Sequence, residues 1–194
     1  TLNVTASNEC GTSAATQIGV TIIDVRPMPG AITRPAFVCE GSAGNFTVIN
    51  DALATGYTWN VTCSGWTGAS VTNAITLTPD ANPGPCLISV TAENQCGSSA
   101  ARTLFVTPAL IPSQPSPISG PVQLCPTGLG DYSVTSVNNV NYTWTVAPAG
   151  PGLTQVGATS QIDWNGVAPG VYTVTATPAN RCAIAGPTRT LQVT

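Results

Sequence analysis

Histidine and lysine are both missing from this 194-residue chain. Without histidine, the Ser-His-Asp and Cys-His arrangements of nucleophilic catalysis cannot be assembled from its own residues. Without lysine, it cannot make lysine–asparagine isopeptide bonds, which leaves disulfides as its covalent cross-links. Charge of either sign is scarce: five arginines and eight acidic residues make up 7% of the chain, for a formal net charge of −3. The arginines (Arg26, Arg34, Arg102, Arg181, Arg189) are scattered singly. No basic stripe exists to neutralise phosphates, so nucleic acid is not an expected partner. No apolar run approaches the roughly 20 residues of a membrane span, and no signal-peptide pattern opens the chain. The acids are equally dispersed. Asp80, two residues from Asn82 in a Pro-Gly-rich loop, offers a fragment of a calcium site, but calcium takes six or more oxygens and no acidic cluster supplies them. A loop-capping role for Asp80 is the simpler expectation, and neither an enzyme nor a cofactor is expected.

What the chain does have is a repeat, marked by its seven cysteines. Cys10, Cys96 and Cys182 are each 86 residues apart, and so are Cys39 and Cys125. Ala6-Ser7-Asn8-Glu9-Cys10-Gly11 returns as Ala92-Glu93-Asn94-Gln95-Cys96-Gly97 and again, more loosely, as Ala179-Asn180-Arg181-Cys182-Ala183. Pro29, Ile32, Pro35 and Cys39 return as Pro115, Ile118, Pro121 and Cys125. Copies of one module in tandem usually build rods, spacers or arrays of binding surfaces. The period divides the chain into residues 1–25, read as the closing strands of a preceding module, a first module at 26–107 and a second at 112–194. The linkers, Asp24 to Pro29 and Pro108 to Pro115, are stiffened by prolines that fix φ.

Within a module, apolar and polar residues alternate with period two. Phe46–Ile49, Tyr57–Val61, Ile75–Leu77, Ile88–Thr91 and Thr103–Val106 read as strands of the first module. Tyr132–Val134, Tyr142–Val146, Val171–Thr175 and Arg189–Val193 read as strands of the second. No segment carries a helical apolar stripe. About seven short strands per module predicts an all-β chain of tandem immunoglobulin-like β-sandwiches. In such a sandwich the third and sixth strands are antiparallel neighbours. Facing Cys63 to Cys86 then pairs Val61 with Ile88, Trp59 with Val90 and Tyr57 with Ala92, all on one face. The second module has Ala149 and Tyr172 near these positions, so this bridge belongs to the first module alone.

The module resembles the PKD-like and immunoglobulin-like repeats of very large secreted surface proteins of the Bacteroidota. The resemblance rests on Pro29-Gly30-Ala31-Ile32 through Val38-Cys39-Glu40-Gly41, Tyr57-Thr58-Trp59, Gly65-Trp66 and Ile88 through Gly97. The second copy adds Ile118-Ser119-Gly120-Pro121, Tyr142-Thr143-Trp144 and Pro169 through Thr175. The Trp-Asp-Phe-Gly-Asp-Gly run of the wider PKD family is replaced by Trp59-Asn60-Val61-Thr62, so properties tied to those acids do not carry over.

Periodic cysteines without histidine favour disulfides over zinc, and disulfides an oxidising, extracellular setting. Two pairings fit the period. The plainer expectation joins Cys39 to Cys96 and Cys125 to Cys182 within modules, each closing a 57-residue separation worth about 4 kcal/mol by chain entropy. Strand direction suggests the alternative, Cys39 with Cys182 across the junction. In either case Cys10 is expected to find its partner outside this sequence. Trp59 and Trp144 read as core residues at equivalent positions. Trp66 and Trp164 are harder to place: packed roles are the simpler expectation, while exposed indoles would make a platform for sugar rings. Sequons at Asn3, Asn45, Asn60 and Asn141 require no glycan in a bacterium. The expected function is therefore structural: a cell-surface stalk, filament or adhesin shaft, whose partners are neighbouring modules or further copies of itself. A carbohydrate-binding adhesin module, with a surface glycan as partner, is the alternative.

Overall fold

A computed structural model of the chain describes residues 1–21, 28–125 and 128–194. The linker residues 24–27 of the sequence reading lie outside these. The opening segment forms two small exposed antiparallel pairs: β1 (Leu2–Val4) with β4 (Thr16–Ile18), and β2 (Ser7–Asn8) with β3 (Gly11–Thr12).

The first module contains β5 (Gly44–Thr47), β6 (Gly56–Val61), β7 (Trp66–Thr67), β8 (Ala74–Pro79), β9 (Cys86–Asn94), β10 (Gly97–Ser98) and β11 (Arg102–Val106). One sheet has the order β5-β8-β7, and in the other β9 pairs with β6, β10 and β11. The second module repeats the plan with β12 (Leu129–Ser133), β13 (Asn141–Ala147), β14 (Gly152–Val156), β15 (Thr159–Asp163), β16 (Tyr172–Ala179) and β17 (Arg189–Val193). Its sheets run β12-β15-β14 and β13-β16-β17. Two packed antiparallel sheets per module make an all-β tandem of sandwiches, and no helix among the described residues is long and apolar enough to cross a membrane.

The cores follow from the alternation. Side chains on a strand point to opposite faces in turn, so apolar residues at every second position line the space between the sheets. In β9 these are Cys86, Ile88, Val90 and Ala92, all buried. β6 pairs with β9 in the register that places Val61 opposite Ile88, Trp59 opposite Val90 and Tyr57 opposite Ala92, and Cys63 is bonded to Cys86 with Cα atoms 5.4 Å apart. Trp144 is fully buried, whereas Trp59 is half-buried; their indole N–H groups donate to the Gly157 and Thr72 carbonyls at 3.2 and 2.8 Å. Each module also fastens its last strand to its entrance: Arg102 Nε donates to Pro29 O at 3.2 Å, and Arg189 Nε to Pro115 O at 3.1 Å.

Candidate functional site at the domain joint

The second disulfide crosses the modules. Cys39 of the first is bonded to Cys182, in the β16–β17 connection of the second, with Cα atoms 6.3 Å apart and a sequence separation of 143. This corrects the expectation of Cys39–Cys96 and Cys125–Cys182 bonds within modules. The reason is the length of β9. Cys39 lies at the pole where β9 begins, since Glu40 binds the loop before it and Gly41 N donates to Pro79 O at 2.7 Å. Cys96 lies beyond the far end of β9, nine residues or roughly 30 Å away at ~3.3 Å per residue. A disulfide reaches only about 7 Å between Cα atoms. Cys96, Cys10 and Cys125 are all exposed.

Further features are built around the bond. The linker pairs in parallel with the strand of Cys39: Ala109 N donates to Val38 O at 2.8 Å, and Glu40 N to Ala109 O at 3.1 Å. Glu40, only 7% exposed, accepts from Asn82 N at 3.1 Å through Oε1 and from Ile111 N at 2.8 Å through Oε2. One carboxylate thus holds a loop of its own module and the exit of the linker. Asn82 adopts φ 52°, a left-handed turn conformation that asparagine tolerates well.

From the other side, Asn180 is 4% exposed and all its side-chain bonds are made within the joint. Its Oδ1 accepts from Cys182 N at 2.9 Å and Ile184 N at 3.0 Å, folding the Cys182 loop into an Asx turn. Its amide donates to the Ala109 and Leu110 carbonyls at 3.3 and 3.0 Å, so the same side chain grips the linker. Gly186 comes so close to the linker that a Cβ there would run into the Pro112 carbonyl oxygen. At the rim, the Arg181 guanidinium lies 5.8 Å from the Phe37 ring centroid and donates to Asn139 Oδ1. Buried polar groups are costly unless bonded, and at this joint Glu40 and Asn180 are each fully engaged only while the linker lies against their own module.

Neither Glu40 nor Asn180 stands out as a site residue in the sequence. Asn180 had a signal nonetheless: Asn-x-Cys occurs in all three copies, at Asn8, Asn94 and Asn180, and in each the cysteine N–H donates to the asparagine Oδ1, at 2.8, 2.8 and 2.9 Å. Glu40 had none, because the equivalent position of the second copy is proline.

Both tryptophans offered as alternative sugar platforms take the packed roles that were the simpler expectation. Trp66 is 8% exposed, with Nε1 donating to Gly84 O at 2.9 Å. Trp164 is 4% exposed and packs edge-on against Tyr172, with ring centroids 5.3 Å apart. Little of either indole is exposed to stack on a sugar. The Trp164 N–H has no partner of hydrogen-bond geometry among the described residues. Beside it, burial raises the Tyr132 phenol above its ordinary 10.0, while the Trp164 side chain pulls the other way.

The chain matches the PKD-like domain family twice, over residues 25–106 and 111–193. No curated protein matches it. Among solved structures it is similar to the FN1–FN3 domains of chicken CNTN1, at 16% identity over 98% of this chain and 75% of that one, with a TM-score of 0.41. It is similar also to a two-domain fibronectin type III segment of chicken tenascin (12% identity, 86% and 99% covered, TM-score 0.39). The D00–D0 domain of intimin matches at 13% identity over 83% and 98%, with a TM-score of 0.37. The family match covers both sandwiches, and the chain belongs to the PKD-like domain family.

Proposed function

We propose that this chain is a structural repeat segment of a long extracellular surface protein, serving as stalk, filament or adhesin shaft, in which disulfides fix the angle between neighbouring PKD-like modules. The observation that carries this reading is the joint: the Cys39–Cys182 bond, with Glu40 and Asn180 buried around a proline-bounded linker. A binding array needs no such lock. A load-bearing shaft gains from one, because chain entropy alone credits a cross-link over this separation with about 5 kcal/mol. Two disulfides in a chain without histidine suit an oxidising compartment outside the cell, as in the secreted proteins this repeat resembles.

The test is the distribution of angles between the two modules, from electron micrographs or small-angle scattering of the full chain. The oxidised protein is expected to show one narrow distribution, and the Cys39→Ser, Cys182→Ser double variant a broad one. Identical distributions would remove stiffening from the account.

A further inference from the structure

The pole of the second module that carries Cys125 has the framework of the pole that carries Cys39. The two cysteines occupy the same repeat position. A parallel backbone pairing of the same pattern recurs two residues before Cys125: Thr194 N donates to Val122 O at 2.9 Å, and Leu124 N donates to Thr194 O at 3.1 Å. At the first module this pole is covered by the linker and by the Cys182 hairpin. At the second it is an apolar cleft of about 420 Å³, lined by Leu124, Cys125, Trp164, Val167, Tyr172 and Val193. Trp164, buried in its wall, has an indole N–H without a hydrogen-bond partner among the described residues.

The complementary half is repeated too. Each Asn-x-Cys turn is already folded by its own asparagine before any neighbour is considered, as Asn8 and Asn94 do for Cys10 and Cys96. In the joint that is complete, the asparagine amide is what reads the linker carbonyls. A module of this repeat therefore carries a plug at one pole and a socket at the other, which gives assembly a direction.

Resting on the structural reading above, we propose that the Cys125 cleft is a socket for the Asn-x-Cys hairpin of a further module of this repeat, joined in tandem after the second, with Cys125 forming a disulfide to its cysteine. Continuity with the Cys39–Cys182 interface argues for that occupant over a small apolar ligand. The bond forms as both thiols lose their protons and one electron each, and a disulfide oxidant such as oxidised glutathione takes the two electrons and leaves as two thiols.

The full chain extended after Thr194 by a second copy of residues 108–194 provides the test. After refolding in a glutathione redox buffer, non-reducing peptide mapping is expected to show Cys125 joined to the Cys182 of the appended copy. Alkylation of Cys125 should fall at least tenfold relative to the unextended chain. Asn180→Ala in the appended copy alone should lower the bridged fraction several-fold, with the resident Cys39–Cys182 bond intact as internal control. A Cys125 that stays fully alkylatable while that resident bond forms would overturn the socket and leave the joint standing. So would a Cys125 bonded to Cys10 or Cys96, or to a separate molecule. Absence of the resident bond itself would overturn both readings.

Discussion

The two modules close the same pole by different means. In the first, a disulfide ties β9 to the residues after β6, and Trp66 on β7 fills the space beside it, opposite Pro79 of β8. In the second, Tyr172 takes the register position of Cys86, since it faces Val193 as Cys86 faces Val106. Trp164 likewise takes the register position of Pro79, and the two rings meet edge to face. The indole has moved to the partner strand and an aromatic pair stands where the covalent staple stood. Deeper in, Phe46 opposite Ile75 becomes Tyr132 opposite Ser160, so an apolar pair is exchanged for one carrying two hydroxyls. Backbone pairing and alternation define the frame, while the side chains that reach the pole differ between the modules.

That difference can be broken most severely at Trp164. Trp164→Ala should cost the second module about 3–5 kcal/mol, as large core truncations do, and leave the first unchanged. Hydrogen exchange resolved by module is the measurement, and equal loss of protection in both would erase the distinction. Next in size is the staple. Cys63→Ser with Cys86→Ser opens a 23-residue separation and should cost the first module about 3 kcal/mol in chemical denaturation, with the second unaffected. The smallest effect lies at Tyr132, whose hydroxyl donates to Pro121 O at 3.1 Å. Tyr132→Phe, which copies Phe46, should cost about 1 kcal/mol. Because burial raises this phenol, its contribution is complete below pH 10.0 and is lost as pH climbs through the raised value. The second module should therefore weaken in alkali, and the Phe variant should lack that loss. An alkaline melting curve unchanged by the substitution would contradict the assignment.

Much of this is legible in the sequence. The β6–β9 register followed from two cysteines and an alternating run, because period two allows only one face to be apolar. Strands β14 and β15 are not legible there. Gly152–Val156 is mostly exposed, and the core position of β15 opposite Tyr132 is held by Ser160, whose hydroxyl is buried through a bond to Thr154 O at 3.3 Å. Buried polar residues blunt the alternation on which sequence reading depends. The joint was legible only as a choice of two pairings, since a period of 86 residues is satisfied by bonds within modules and between them alike. What decided it was the length of β9, a quantity that spacing along the chain does not contain. Glu40 acts through backbone N–H groups of a loop and a linker, which leave no partner residue type to recognise.

The Cys39–Cys182 bond also alters how tension would travel. Pulled from its two ends, the chain carries load along the shortest covalent route, which enters at Cys39, crosses the sulfurs and leaves at Cys182. The 143-residue separation it short-circuits represents on the order of 500 Å of slack that cannot be paid out while the bond holds. The β6–β9 sheet, the first module's staple and most of the second core lie inside that bypass. A reductant would then act as a release catch, turning a nearly inextensible link into a long tether.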